Sequence, residues 1–176
     1  MYYIIYIDIA GHSKYLTTEE EATKKLIERY ETLIRKRINT LAEKFTRIGG
    51  DGFLIFISKE KAKPLEIINN FFSIIKSIVR EKHHFKDSDF LPIRTGIHYG
   101  DIGIDEINNP NINEINNPNI NIAQRLEHSA LHNEIAVSEE VYDLLKDYNL
   151  NIRKDEGGLS DVDKKFFLEL NHQKKR

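Results

Sequence analysis

The chain has 176 residues, of which 40% are hydrophobic and 31% are charged, and its formal net charge is −2. This length fits a single domain, 1–176, with a real core, and the nearly balanced charge argues against a nucleic-acid partner or direct membrane contact. The chain has no cysteine, which excludes disulfides, thiolate metal sites and cysteine nucleophiles and fits a reducing, cytoplasmic location. The apolar start lacks a basic segment and stops at Asp8, so we expect neither a signal peptide nor a membrane span.

The first predicted element is a strand over Tyr2–Ile9, a nearly continuous apolar run rich in isoleucine and tyrosine. Such a run is typical of a central strand that is covered on both faces. It ends with the carboxylate of Asp8, and an ionised group there costs free energy unless it is paired or bound to a metal. Alternatively, Asp8 caps the turn that follows.

The second predicted element is a long amphipathic helix. A capping box formed by Thr17 and Glu20 marks its start, and apolar residues at helical spacing extend it to an end near Phe45. We assign this apolar stripe to the core.

A tight hairpin is predicted over residues 47–57, where two short apolar runs flank Gly-Gly-Asp-Gly. The glycines leave open space beside the carboxylate of Asp51, which suits a phosphate held through a metal ion. The alternative is that Asp51 is only a turn former. Because one helix joins the first strand to the hairpin, Asp8 and Asp51 could meet at the same edge of a sheet.

Another helix is predicted from Pro64, followed by two alternating runs at residues 93–98 and 101–104. Gly100 lies between the two runs, so either a bent strand or a hairpin fits. The sequence Ile-Asn-Asn-Pro-Asn-Ile-Asn then occurs twice, at residues 107–113 and 115–121. We interpret the repeat as a duplicated loop of flexible, asparagine-rich composition.

The last part of the chain is predicted to contain a helix over residues 122–127, a short strand over residues 134–137, a helix capped by Ser138, and a final strand over residues 166–170. Strands therefore alternate with long helices along the whole chain. This order predicts an α+β fold, an α/β sandwich of ferredoxin-like type with its helices mostly on one face.

Four segments match one family in the right order. Residues 8–13, Asp-Ile-Ala-Gly-His-Ser, look like its first metal motif, and residues 50–52, Gly-Asp-Gly, look like its second. Residues 94–100 look like its central strand, and residues 121–127 resemble its Asn-x-x-x-Arg helix. The chain thus resembles the class III nucleotidyl cyclases over nearly its whole length. The resemblance implies a ferredoxin-like βαββαβ core with an added C-terminal β-α-β.

The resemblance also implies a reaction. The ribose 3′-hydroxyl of a nucleoside triphosphate attacks the α-phosphorus in line, and pyrophosphate leaves. Two Mg²⁺ or Mn²⁺ ions per site are expected on Asp8, Asp51 and the backbone carbonyl of Ile9, since such ions can activate the hydroxyl and hold the triphosphate. Substrate contacts are expected from the last three residues of the first motif, Gly11, His12 and Ser13.

The helix residues of the motif complete the implied site. Asn121 and Arg125 are four apart, so they share a helix face. By resemblance, Asn121 orients the ribose and Arg125 stabilises charge that develops on the phosphate. In the family these two residues and the metal ligands come from different subunits, so a homodimer with shared sites is implied. Without the metal motifs, the pair would be interpreted as exposed polar residues of a surface helix.

Base selection is expected to depart from that of the purine cyclases. Arg47 lies four residues before Asp51, as in the Arg/Tyr-x-x-x-Asp signature of the pyrimidine cyclases of bacterial Pycsar anti-phage systems, whose product acts on a downstream effector. The second base position falls on Glu114. An arginine donor and a glutamate acceptor can read uracil or cytosine, and the family favours UTP slightly.

Several alternatives remain open. The chain could be an adenylate or guanylate cyclase of the same class. Residues 47–53 also look like the GGDEF motif of diguanylate cyclases, although Gly52 replaces the second acid. A nucleotide-sensing domain without activity is the third alternative. The family's triphosphate-binding lysine has no clear counterpart, which leaves Lys154, Lys164 or Lys165 as substitutes.

Overall fold

The structure, a computed structural model, describes residues 1–11, 20–81, 91–112, 116–155 and 165–168. One sheet of seven strands has the order β2-β3-β1-β4-β5-β7-β6. The strands are β1 (Tyr2–Ile9), β2 (Ala42–Ile48), β3 (Gly52–Ser58), β4 (Ile93–Gly100), β5 (Ile135–Val137), β6 (Ile152–Asp155) and β7 (Lys165–Leu168). The helices are α1 (Glu20–Ile38), α2 (Pro64–Glu81), α3 (Ile104–Asn108), α4 (Pro118–Ser129) and α5 (Glu139–Leu145).

Strand β1 lies inside the sheet, between β3 and β4, and pairs antiparallel with both. Ile5 and Ile7 are fully buried in the main hydrophobic cluster, whereas Ile4 belongs to a second cluster. The predicted central strand, covered on both faces, is therefore confirmed. The central position of β1 matters because it places Asp8, near the end of the strand, between two neighbouring strands.

The helices divide between the two faces of the sheet. The main cluster joins the sheet to α1, α2 and α5, for example through Tyr30, Phe71 and Val141. The second cluster lies on the other face and contains Ile107 of α3 and Ala123 of α4. The first six large elements follow the order βαββαβ, which confirms the predicted α+β sandwich with most helices on one face.

The first helix ends earlier than its apolar spacing predicts. Helix α1 stops at Ile38, and Phe45 lies in β2 rather than in the helix. Its ring packs 5.4 Å from the Phe53 ring, and the Arg35 guanidinium lies 3.9 Å above it. Pairing of β2 with β3 therefore overrides the local helical pattern. Thr17 of the predicted capping box lies outside the described residues.

The second run after Gly100 is not a strand. The chain leaves the sheet at residues 101–103 and enters α3 with Gly103 as its N-cap. The Glu106 carboxylate accepts the Gly103 N–H at 3.0 Å, a local contact that the alternating pattern does not reveal. Strand β6 was also not predicted, because its residues are largely polar and it lies at a sheet edge.

The duplicated sequence forms the same turn in both copies. The Asn109 Oδ1 atom accepts the Asn111 N–H at 2.8 Å, and the Asn117 Oδ1 atom accepts the Asn119 N–H at 2.9 Å. In each copy the asparagine side chain therefore closes a turn around the proline. In the second copy Asn117 is the N-cap of α4, with proline in the first helical turn.

Buried isoleucines anchor both copies of this loop. Ile107, Ile112 and Ile120 all pack in the second cluster with Ile4 of β1. The asparagine-rich composition suggests a flexible loop, but over residues 107–112 and 116–121 its apolar positions are part of the core. Residues 113–115, which include Glu114, lie outside the described residues. Within the described ranges every helix is too short or too polar to span a bilayer.

Candidate active site

The hairpin between β2 and β3 presents Asp51 at its turn. Ile48 pairs with Gly52, so residues 49–51 form the connection. Gly49 and Gly50 have φ values of 60° and 98°, which L side chains rarely adopt, so glycine is favoured at both positions. The predicted hairpin is confirmed, and it places a half-buried carboxylate beside the end of β1.

Strand pairing brings Asp51 opposite the end of β1. Ile7 pairs with Phe53 in the antiparallel ladder of β1 and β3. Continuing this register places Asp8 opposite Gly52 and Ile9 opposite Asp51. The predicted meeting of Asp8 and Asp51 at one edge is therefore borne out by the register.

The electrostatics of Tyr6 indicate the same convergence. Burial is the largest cause of the raised pKa of the Tyr6 hydroxyl. Negative charge on nearby carboxylates, first Glu127 and then Asp8 and Asp51, raises that pKa further. These three carboxylates therefore lie near enough to Tyr6 for their charges to act on its hydroxyl.

The Ile9 carbonyl points toward the hairpin side. The Ala10 N–H donates to the Pro92 carbonyl of the β4 side at 2.8 Å. Backbone groups alternate in direction along an antiparallel strand, so those of Ile9 face β3. In agreement, the Ile7 carbonyl lies 3.4 Å from the position that a Cβ atom on Gly52 would occupy.

Two charged residues without a predicted role complete this region. Arg94 of β4 pairs in register with Asp8 and donates from Nη2 to its Oδ2 at 2.6 Å. Its Nε lies 2.8 Å from Oε1 of Glu127, whose side chain is 1% exposed. Arg94 therefore links the carboxylate that ends β1 to helix α4.

The Glu127 carboxyl is poorly satisfied. Burial, opposed by Arg94, raises its pKa to about 7, and the charges of Asp8 and Asp51 contribute. The contact with Arg94 is close in distance, but its N–H is not aligned on the oxygen, and neither Glu127 oxygen has an aligned hydrogen-bond partner among the described residues. Two features of the sequence could have indicated this contact: Arg94 lies inside an apolar strand, and Glu127 lies on the apolar face of a helix.

Helix α4 carries Asn121 and Arg125 on another side. Ala123, Leu126 and Glu127 are buried against the sheet, whereas Asn121 is half-buried and Arg125 is exposed. The Asn121 Nδ2 atom donates to the side chain of Asn116 at 3.0 Å. The predicted shared face of Asn121 and Arg125 is therefore present, and it is turned away from the sheet of its own chain.

The close approach of α4 to the sheet depends on Gly96 of β4. A Cβ atom there would lie 2.1 Å from the Ala123 carbonyl oxygen and 2.4 Å from the Glu127 nitrogen.

We expect Gly96→Ala to lower the free energy of unfolding by about 1–3 kcal/mol, because the helix must move away from β4. Urea unfolding measures the loss. The matched control is Gly103→Ala, whose Cβ would meet no backbone atom within 4 Å and would contact only the Glu106 side chain, at 3.3 Å. Equal stability of the two variants would contradict this packing.

Arg47 lies beside the hairpin turn. It is an exposed residue of β2, and its Nε donates to the Gly50 carbonyl at 2.7 Å. This contact holds the guanidinium next to the residue that precedes Asp51. Gly11 follows β1 with a φ of 83°. The predicted substrate residues His12, Ser13 and Glu114 lie outside the described residues, as does Lys164.

The donor atoms suit a hard divalent cation. Asp8 and Asp51 supply carboxylate oxygens and Ile9 supplies a carbonyl oxygen, the ligand types that Mg²⁺ and Mn²⁺ prefer. Among the described residues no group of three or more His, Cys, Asp or Glu side chains could hold a metal. An ion here would thus complete its shell with backbone, substrate or water oxygens, as Mg²⁺ commonly does.

Comparisons with known proteins agree with one another. A model of the family described as the adenylate and guanylate cyclase catalytic domain matches residues 2–165. The adenylyl cyclase CyaB from P. aeruginosa is similar in structure, with a TM-score of 0.74 and 19% identity over 98% of this chain and 95% of that one. The adenylate/guanylate cyclase/hydrolase from Silicibacter pomeroyi has a TM-score of 0.69 and 20% identity over 94% of each chain. The guanylyl cyclase Cya2 has a TM-score of 0.70 and 14% identity over 95% and 89%. No curated protein matches in sequence.

Proposed function

The chain belongs to the family of adenylate and guanylate cyclase catalytic domains, and from this premise we propose that it cyclises a pyrimidine nucleoside triphosphate. UTP is the favoured substrate and CTP the second. The products are the 3′,5′-cyclic monophosphate and pyrophosphate. We also propose that residues 1–176 act as one catalytic domain in the cytoplasm.

The observation that carries the pyrimidine assignment is the position of Arg47. Its guanidinium is tied by Nε to the hairpin that presents Asp51, so its terminal nitrogens are offered beside the proposed phosphate site. An arginine fork donates hydrogen bonds only, which suits a carbonyl oxygen of uracil or the O2 and N3 acceptors of cytosine. Glu114 is proposed as the acceptor that completes base reading.

The proposed reaction uses the two residue sets separately. The ribose 3′-hydroxyl gives its proton to water, its oxygen forms a bond to the α-phosphorus, the bond from that phosphorus to the oxygen bridging the α- and β-phosphates breaks, and pyrophosphate leaves. Asp8, Asp51 and the Ile9 carbonyl would hold Mg²⁺ or Mn²⁺, two ions per site, and such ions lower the pKa of an attacking hydroxyl and neutralise phosphate charge. Asn121 orients the ribose, and Arg125 stabilises the charge that develops on the α-phosphate.

The remaining assignments complete the proposal. Residues Gly11, His12 and Ser13 line the triphosphate. Lys154 of β6, Lys165 of β7 or Lys164 takes the place of the missing triphosphate lysine. The exposed face of α4 serves the site of a partner subunit in a homodimer, because Arg125 is turned away from its own sheet. The cyclic product acts on a downstream effector in anti-phage signalling.

Activity with each of the four nucleoside triphosphates and Mn²⁺ tests this function. A pyrimidine substrate should be turned over fastest, with UTP ahead of CTP. The second candidate, an adenylate or guanylate cyclase, is favoured by the matched family and predicts the highest kcat/KM for ATP or GTP instead. Activity that needs two GTP molecules per product would indicate the diguanylate cyclase alternative.

Replacing Arg47 by alanine tests base reading. The ratio of kcat/KM values for the preferred pyrimidine and for the purines gives a discrimination free energy. We expect this free energy to fall by about 1–3 kcal/mol in Arg47→Ala, because the acceptor atoms of the base lose their donor. Lys44→Ala is the matched control, a cation of the same strand whose Nζ contacts the Asn109 carbonyl at 3.2 Å. Unchanged preference in Arg47→Ala would remove the main support for a pyrimidine substrate.

A further inference from the structure

We propose that Glu127 is a positioning residue for the cation site, because its buried carboxylate shares the charge of Arg94 with Asp8 and thereby keeps Asp8 able to hold a divalent ion. The inference rests on the proposed metal site at Asp8 and Asp51. It assigns a role to two residues that neither contact the nucleotide in the proposed mechanism nor belong to the metal motifs.

The geometry of Arg94 carries the first step. Its guanidinium lies between two carboxylates, 2.6 Å from Asp8 and 2.8 Å from Glu127. A single cation that contacts two anions is drawn toward both, so its pull on Asp8 depends on Glu127. If Glu127 lost its charge, Arg94 would pair with Asp8 alone. Arg94 would then compete more strongly with a metal ion for the Asp8 oxygens.

The burial of Glu127 carries the second step. The residue is fully buried, yet neither of its oxygens has an aligned hydrogen bond among the described residues. The Nε2 atom of His128, an exposed side chain, lies 3.5 Å from Oε2 of Glu127. A buried ion pair such as that of Glu127 with Arg94 is often no more stabilising than a neutral or apolar pair of similar volume. Stability alone therefore does not explain a glutamate at this position.

The charge of the region carries the third step. Asp8, Asp51 and Glu127 lie near enough to Tyr6 for each to raise its pKa. An ionised Glu127 therefore adds one negative charge close to the proposed ions, in addition to restraining Arg94. Both effects favour cation binding.

The test measures Mn²⁺ binding to the whole protein, from the electron paramagnetic resonance signal of free Mn²⁺, at pH 8.5. Burial raises the pKa of Glu127 to about 7, so the carboxylate is ionised at this pH. Glu127→Gln keeps the size of the side chain and should weaken Mn²⁺ binding about tenfold, as expected for loss of a residue that orients a ligand. The double variant Arg94→Met/Glu127→Gln should return to within about threefold of wild type, because Asp8 no longer has a competitor.

A matched pair elsewhere provides the control. Glu134 is also buried and lies 2.9 Å from Arg153, which is about half exposed. It precedes β5, and Asp8 is not among its partners in the described part of the chain. Glu134→Gln should leave Mn²⁺ binding unchanged. An equal loss of binding in Glu134→Gln and Glu127→Gln would indicate general loosening and overturn the inference.

A second variant keeps the test decisive if Glu127→Gln does not fold. Arg94→Met removes the competitor for Asp8, so it should bind Mn²⁺ at least as tightly as wild type. Weaker binding would show that Arg94 orients Asp8 for the metal, contrary to the inference.

Mn²⁺ binding distinguishes an error in the proposed metal site from an error in the role of Glu127. If wild type does not bind Mn²⁺, or if Asp51→Ala binds it as tightly as wild type does, the metal site of the proposed function is wrong. If wild type binds Mn²⁺ at that site and Glu127→Gln binds equally tightly, only the role of Glu127 is wrong.

Discussion

Replacing Asp51 by alanine should lower kcat by about a thousandfold or more while the fold stays intact. The loss is large because a divalent ion at this carboxylate contributes several kcal/mol of transition-state stabilisation. The fold should survive because Asp51 lies in the turn and belongs to neither of the two large hydrophobic clusters. Release of pyrophosphate and formation of cyclic nucleotide measure the activity, and urea unfolding measures the stability.

The control for this variant is Asp101→Ala. The Asp101 carboxylate lies just beyond the other end of β4, is largely exposed, and contacts the N-terminal amine at 3.5 Å. Its replacement should leave activity near wild type. Full activity of Asp51→Ala, or of wild type in excess chelator, would contradict a metal role for this carboxylate.

Local patterns were sufficient to predict β1 and the hairpin of β2 and β3. The apolar run of β1 is typical of a strand covered on both faces, and the glycines before Asp51 permit the positive φ values of a tight turn, so strand and hairpin could be predicted. The end of α1 could not, because Phe45 fits a helical spacing as well as a strand, and its pairing with β3 decides. The start of α3 was missed for a similar reason, since the Glu106 contact that caps it is invisible in a periodic pattern.

The candidate site also contains one feature that the sequence predicted and one that it did not. The meeting of Asp8 and Asp51 follows from strand order and was predicted. The Arg94–Glu127 contact joins a strand to a helix on the other face of the sheet, and it depends on the close approach at Gly96. The close approach of α4 to β4 depends on three-dimensional packing. The types of the two residues alone were therefore not enough to predict their contact. The roles assigned to His12, Ser13 and Glu114 stay predictions.

The arrangement of α4 leads to a test of the shared site. Glu127 faces the sheet of its own chain, whereas Arg125 is exposed on another side of the same helix. Residues two apart on a helix are separated by about 200°, so one chain cannot easily aim both at one point. We therefore expect Arg125 to act in the site that contains the partner's metal ligands, with each subunit contributing half of each of two sites.

Mixing two inactive variants should restore activity. Asp51→Ala and Arg125→Ala should each be nearly inactive alone. After subunit exchange half of the dimers are mixed, and each mixed dimer has one site with both defects and one with neither, so activity should recover to roughly a quarter of wild type. A mixture of Asp8→Ala with Asp51→Ala is the matched control and should stay inactive, since both defects lie in the same half and no site is complete. If the Asp51→Ala and Arg125→Ala mixture stays inactive while mass measurements show that subunits have exchanged, Arg125 does not act across the interface.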